Sequence, residues 1–222
     1  MKAELVSYSK PTRRLYSEGL SVPQDLIAYC ARVSNPSNKF NLETAEKLIR
    51  YLAKHKHWSP FEMVSACIEV ETTRDIARQL LRHRSFSFQE YSQRYADPTK
   101  DLSFVYREAR LQDEKNRQNS IATDDPELQA TWMASQRRVA DVAKEEYEKA
   151  ISLGIAKEQA RAVLPEGLMS SVVQVNGTIR SWIHYIELRT GNGTQQEHID
   201  LARACAVAIA EAFPMITEYV NE

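Results

Sequence analysis

The chain predicts an α+β (mixed α/β) fold, one helix-rich domain over residues 1–222 with a small, mostly antiparallel sheet. Three observations predict it. Apolar residues recur at helical spacing through most of the sequence, whereas period-two alternation is confined to residues 3–9, 63–72 and 169–175. No internal repeat, low-complexity tract or linker divides the chain, and 222 residues suit one sizeable domain. Apolar content is ordinary at 43%, with 29 basic residues set against 30 acidic ones. That net charge of −1 argues against a general nucleic-acid or membrane-surface binder. No apolar run is long enough to span a bilayer, and MKAELVSYSK lacks the apolar stretch of a signal peptide, so a cytoplasmic location is expected. Cys30, Cys67 and Cys205 are far apart among apolar neighbours and read as reduced core thiols.

In chain order, AELVSYS (3–9) alternates as a strand does, and DLIAYCARVS (25–34) reads as a short helix followed by the turn NPSN. Asn41 is placed to cap a helix whose stripe is Leu42, Ala45, Leu48, Ile49 and Leu52. HKHWSP (55–60) breaks it at the proline. In MVSACIEVET (63–72), Val64, Ala66, Ile68 and Val70 share one strand face. TTRDIARQLLRHR (72–84) predicts a helix with Ile76, Ala77, Leu80 and Leu81 on one side and Arg74, Arg78 and Arg82 four apart on another. Residues 100–127 are hydrophilic and weakly patterned, which predicts an exposed loop. Pro126 opens a long helix to Ser152, with Trp132, Gln136, Val139, Ala143, Tyr147 and Ile151 as its expected buried face and Gly154 as its stop. AKEQARAVL (156–164) reads as a helix and MSSVVQV (169–175) as a strand. Asn176-Gly177 signals a turn, Thr178 is placed to cap a helix through Thr190, and a last helix spans 198–213.

The chemistry concentrates in RHRSFSFQEYSQRY (82–95), with three arginines, a histidine, three serines, four aromatics and a glutamate. No Gly-x-Gly-x-x-Gly or Walker-type loop is present, so a nucleotide would be held by side chains, arginines above all. The S-F-S-F alternation places Phe86 and Phe88 toward the core and the serines toward a pocket. The same mixture could bind single-stranded nucleic acid, with arginines on phosphates and aromatics on bases. His55, His57, His83 and Glu62 are plausible metal ligands, although H-x-H also suits a helix C-terminus that favours cations. Arg161 precedes Leu-Pro and Arg189 ends an apolar helix; both suit anion recognition, and Arg189 alone also suits the helix dipole.

The stretch 82–95 resembles the long signature of the flavin-dependent thymidylate synthases, whose fixed points are occupied by Arg82, His83, Arg84, Ser87, Glu90, Ser92, Arg94 and Tyr95. ARVSNP around Ser34, HKHWSPFE (55–62), ARAVLP (160–165) and ELRTGNGTQQE (187–197) follow in the order of that family. The resemblance implies that family's fold and the reductive methylation of dUMP to dTMP. Methylenetetrahydrofolate would be the carbon donor, FAD the redox carrier and NADPH the reductant. It also implies a homotetramer with sites shared between subunits, acting on small molecules with no nucleic-acid or membrane partner and no metal. By position, the FAD residues would be Ser34, His57, Ser59, Glu62, Arg82, His83, Arg84, Glu90, Thr178, Arg180 and His184. The dUMP residues would be Gln79, Arg82, Glu90, Tyr91, Ser92, Gln93, Arg94, Arg161 and Arg189, with Arg189 catalytic through a uracil ring ionised at N3. The chain departs from the family at NGTIR (176–180), where the family often has Asn-x-Arg and the loop differs by one residue. It departs also at His184, in place of an asparagine, and at Gly193.

Overall fold

A computed structural model describes residues 1–221. Strand β1 (Lys2–Tyr8) is followed by the short helix α1 (Arg13–Ser17), then α2 (Pro23–Ala31) and α3 (Ala45–Lys54). β2 (Ser65–Thr73) runs directly into α4 (Arg74–Leu80), and β3 (Ser87–Glu90) follows. Next come α5 (Pro98–Asp101), the small strands β4 (Arg110–Gln112) and β5 (Ser120–Ala122), and the long α6 (Pro126–Ser152). α7 (Lys157–Ala160) leads to β6 (Ser170–Thr178), which runs directly into α8 (Ile179–Thr190), and α9 (Gln196–Ala210) closes the core.

The main sheet is ordered β1-β2-β6-β3 with every neighbouring pair antiparallel, as the alternating segments predict. On its inner face Ala66, Ile68, Val70, Val173 and Val175 are buried against Trp182, Ile183 and Ile186 of α8 and Leu201, Cys205 and Ile209 of α9. A smaller apolar cluster, Tyr147, Ala160, Leu164 and Met169, fixes α6 to the segment entering β6. Burial pushes the Cys205 thiol well up and raises Cys30 and Cys67 as well, so all three free thiols are held protonated.

Several elements differ from expectation for identifiable reasons. Asn176-Gly177 is not a turn: both residues lie inside β6, paired with Cys67 and Ala66. The glycine is needed for space, since a Cβ there would lie 2.2 Å from the Phe86 ring. Asn41 does not cap α3, because its carbonyl accepts from the buried Arg32 guanidinium and its amide donates to Asn38 at 2.9 Å. The helix begins instead after Thr44, which Arg32 also bonds. The helix expected over 72–84 ends at Leu80, and Arg82, His83 and Arg84 lie in tight turns closed by His83 N–H to Leu80 and Phe86 N–H to His83.

α6 has the expected bounds, and Asp125 caps it by accepting from the Glu127 and Leu128 amides. Its buried face is turned from the expected one: Gln136, Ala140, Ala143 and Tyr147 are inside, while Trp132 and Val139 are 44% and 51% exposed. The cause is polar. The Gln136 amide exchanges two hydrogen bonds with the backbone of Arg107, both 2.8 Å, and the Gln129 amide does the same with Ala109. These glutamines act as a stand-in strand for residues 107–109, so the excursion expected to be a loop is anchored and carries the β4–β5 hairpin.

Gly177→Ala should destabilise the protein by about 1–3 kcal/mol through overpacking against Phe86. Chemical denaturation checks this, and combining the change with Phe86→Leu should recover part of the loss.

Candidate functional site

The turns after α4 pass the C-terminal end of α8, where the Arg189 Nε–H donates to His83 Nε2 at 2.9 Å. An imidazole that accepts at Nε2 carries its proton on Nδ1 and is neutral. Burial first, and the Arg189 charge second, push the His83 pKa down to about 4. The ring stands edge-on to Tyr185, with centroids 5.0 Å apart. Arg189 is itself partly desolvated, and its pKa is lowered by that burial and by Arg82. The guanidinium stays charged, and among the described residues no carboxylate lies within 4 Å of it.

Behind this pair a buried polar chain begins at His198, which is fully inaccessible to solvent. Its Nδ1 lies 3.2 Å from Gln79 Oε1, an atom that only accepts, so Nδ1 donates and Nε2 is left bare and unpartnered. Burial, then Arg189 and His83, hold its pKa near 3. Gln79 Nε2 donates to Gln195 at 2.9 Å, Gln195 donates to Glu197 at 2.9 Å, and Glu197 accepts from Arg110 at 2.6 Å. Each terminal atom of the Gln79 amide thus has one partner, leaving one N–H and one lone pair for a ligand.

Other expected site residues lie elsewhere on the chain. Glu90 on β3 accepts from Arg74 at 3.3 Å and from the Ser171 hydroxyl at 3.0 Å. Tyr91 donates to Asp101 at 2.8 Å, and burial is the main cause raising its pKa. Gln93 is buried with an unpartnered amide nitrogen. Ser92 and Arg94 line a cleft of about 410 Å³ with Lys157 and Glu158, and Arg94 pairs with Glu158 at 3.3 Å. Arg161 opens the turn that follows α7.

Glu62 and Arg180 form an ion pair, and Trp58 stands edge-on to His184 at 4.7 Å. Burial, then Arg180, lower the His184 pKa. Thr178 caps α8, its hydroxyl accepting from the Ser181 amide. His57 is exposed, Ser59 borders a 360 Å³ pocket with Cys30 and Lys39, and Ser34 lines a separate 450 Å³ cleft between α2 and α3. Within one chain, then, Gln79, His83 and Arg189 come together, Glu62, Arg180 and His184 gather on a second patch, and Ser92 with Arg94 and Ser34 line separate clefts.

Arg82 and Arg84 are exposed and, like Arg161, have neither an ion-pair nor a hydrogen-bond partner for their side chains among the described residues. Arg74, Arg78, Arg107 and Arg110, by contrast, are held by carboxylates. Sequence reasoning did not single out Tyr185, Ser171, Gln195, Glu197 or His198. Gln195 and Glu197 stand in the GNGTQQE block that carried the resemblance, whereas His198 sits on an otherwise apolar helix face and gave no signal. No group of three possible metal ligands occurs among the described residues, and the His55 ring packs on Tyr51 at 4.2 Å.

Comparison with known proteins adds independent findings. Residues 17–215 match the family model described as Thymidylate synthase complementing protein. The chain is 49% identical over 221 residues to a probable flavin-dependent thymidylate synthase of Paramecium bursaria Chlorella virus 1, covering 100% of this chain and 99% of that one. It is 42% identical over 216 residues to the flavin-dependent thymidylate synthase of Synechocystis, covering 97% of each. Among solved structures it is similar to a UMP/dUMP methylase, PolB of Streptomyces cacaoi, bound with 5-Br dUMP. The TM-score is 0.80 at 29% identity, over 98% of this chain and 93% of that one.

His83 and His198 are neutral in the fold but ionise near 6.5 when unfolded, so the unfolded state binds more protons between those values. The contribution of these two histidines should be constant above about pH 6.5 and be lost as pH drops toward 4, the His198 part continuing toward 3. Thermal melts across that range test this, and His198→Asn should flatten the slope.

Proposed function

The chain belongs to the thymidylate synthase complementing protein family, that of the flavin-dependent thymidylate synthases, and we propose that its residues divide that family's reaction as follows. The reaction converts dUMP to dTMP, with methylenetetrahydrofolate as carbon donor and NADPH-reduced FAD as hydride source. The observation that carries the assignment of roles is the Arg189 guanidinium: it is partly desolvated, oriented by a neutral imidazole, and not neutralised by an acid. A cation held so beside a uracil ring stabilises the negative charge that develops when N3 ionises, and makes the ring a better carbon nucleophile. The remaining N–H and lone pair of Gln79 match the donor and acceptor edge of that ring. Ser92, Arg94 and Arg161 would take the nucleotide phosphate, with Glu90, Tyr91 and Gln93 lining the approach.

The residues present also fit FAD. Arg82 and Arg84 flank the His83 turn without a side-chain partner among the described residues, as a pyrophosphate requires. Glu62, Arg180 and His184 gather on the first half of α8, where donors and aromatic edges suit the rest of the cofactor, with His57 and Ser59 on the segment that leads to Glu62; Thr178 serves them by capping that helix. When bound, the flavin supplies the hydride. Because the expected flavin residues are divided among the His83 turn, the Glu62–Arg180–His184 patch and the Ser34 cleft on one chain, and because Trp132, Val139 and Val142 leave an apolar stripe exposed on α6, a homotetramer with shared sites is the assembly this reading favours. A cytoplasmic location belongs to this reading and agrees with three free cysteines.

A single-stranded nucleic-acid binder is disfavoured, since Phe86 is buried and Phe88 packs against the core, which takes two of the four aromatics away from base stacking.

Purified protein should carry or take up FAD, show a change in the flavin spectrum on adding dUMP, and form dTMP only when folate, NADPH and flavin are all present. Absence of flavin binding under every condition would sink the reading. Arg189→Ala should cut turnover by roughly 10²–10³ with little change in melting temperature. Ser92→Ala should weaken dUMP binding and retain residual activity; complete loss with dUMP affinity intact would place Ser92 in the chemistry instead.

A further inference from the structure

The largest of the described clefts, about 730 Å³, contains none of the residues assigned above to the flavin or to dUMP. One wall is the loop that follows Arg189, from Thr190 through Gln196; another is the β4–β5 hairpin with its turn; Arg203 on α9 closes the third side. Three of its fifteen lining residues are arginines, none is acidic and none is aromatic. Arg117 and Arg203 are exposed and have no ion-pair or hydrogen-bond partner for their side chains among the described residues, while Arg110 is held by Glu197. The rest of the lining is mostly amide and hydroxyl, including Gln112, Gln118 and Gln195. Two features tie it to the catalytic end of α8. Thr190, the neighbour of Arg189, is in its wall, and Gln195 is the residue that bonds Gln79. The hairpin wall is also held in place: Asn119 donates to Asn192 at 3.4 Å across the cleft mouth, and Gly193 takes φ +84° to make the facing loop turn.

We propose that this cleft binds the glutamyl tail of the folate co-substrate, reading the successive carboxylates of a polyglutamate through Arg117 and Arg203; this rests on the function proposed above. The chemistry selects the ligand. A wall of arginines and amides without an acid suits a flexible polyanion. A dinucleotide such as NADPH brings phosphates too, but its adenine needs an aromatic or apolar face, and Ile199 is the lining's one large apolar side chain. A γ-linked glutamyl chain brings carboxylates at intervals and no ring, which matches a lining of charge and hydrogen-bond donors.

The deciding experiment titrates γ-linked pentaglutamate, without any pteridine, into the full-length wild-type protein and into R117A/R203A by calorimetry. It then compares the KM for mono- and pentaglutamyl methylenetetrahydrofolate in the two proteins. The expected result is binding by the wild type that weakens with salt and drops about tenfold or more in the variant. With it, the wild-type preference for the pentaglutamyl substrate should collapse in the variant while the monoglutamyl kcat holds. No pentaglutamate binding, or equal binding by both proteins, overturns the proposal. A raised KM for NADPH with the glutamate preference intact overturns it in favour of the nicotinamide co-substrate's phosphates. Because the peptide titration needs no turnover, it decides the cleft even if dUMP is not methylated, and failure of monoglutamyl turnover counts against the function alone. Both arginines are exposed and unpaired, so the variant should fold; Arg117→Glu supplies a second reading by charge reversal.

Discussion

The pairing of β2 with β6 is the constraint on which the rest depends. Nine residue pairs run from Ser65↔Thr178 to Thr73↔Ser170. Each strand continues without a loop into a helix, β2 into α4 at Arg74 and β6 into α8 at Ile179. Because the strands are antiparallel, the two helices leave from opposite ends of the ladder. Register therefore decides which residue at the end of α4 meets which residue at the end of α8. A one-residue slip would turn Val173 and Val175 away from the core and Gln174 into it, which burial of the inner face forbids.

Given that register, residues 83–86 run along α8 in reverse. His83 takes the Arg189 Nε–H, the Ser85 carbonyl accepts from the Ser181 hydroxyl, and the Phe86 ring covers Gly177 just before the helix begins. Phe86 also packs on Trp182 at 4.4 Å, so the seam has an apolar end and a polar end. The polar end is placed by α8 on one side and by the hydrogen-bonded turns that follow α4 on the other. The close approach at Gly177 is thus connected to the Arg189–His83 contact through a few residues of continuous packing.

How much of this was legible in the sequence follows from which forces act locally. The bounds of α6 could be read because Asp125, Pro126 and Gly154 are local signals. The strand faces of β2 could be read because burial there follows strict alternation. What could not be read depends on partners distant in sequence. Gly177 resembles half of a turn dipeptide until Phe86 is seen against it, and the face of α6 is set by two glutamines that bond backbone some twenty to thirty residues upstream. At the site, Arg189 and His83 were legible as residue types in a motif, but their direct bond was not. His198 was silent, since nothing local distinguishes a histidine that orients a glutamine more than a hundred residues away from one that merely fills space.

The choice of partner for Arg189 has an electrostatic consequence. A carboxylate in the place of His83 would orient the guanidinium equally well and would cancel its charge. A neutral imidazole orients it through one hydrogen bond and leaves the field of the cation intact. Burial keeps that imidazole neutral down to about pH 4, and the buried His198 behind it is held neutral in the same way, so neither histidine adds to the positive charge that Arg82 already places near Arg189. The protein bears the cost of a partly desolvated cation with no carboxylate beside it among the described residues, visible in the direction of the Arg189 pKa. That cost is recovered only when an anion, or charge developing on a ligand, arrives beside it. In the role proposed for Arg189, such a site would bind the ionised form of a ring more strongly than the neutral form, the differential interaction that lowers a barrier.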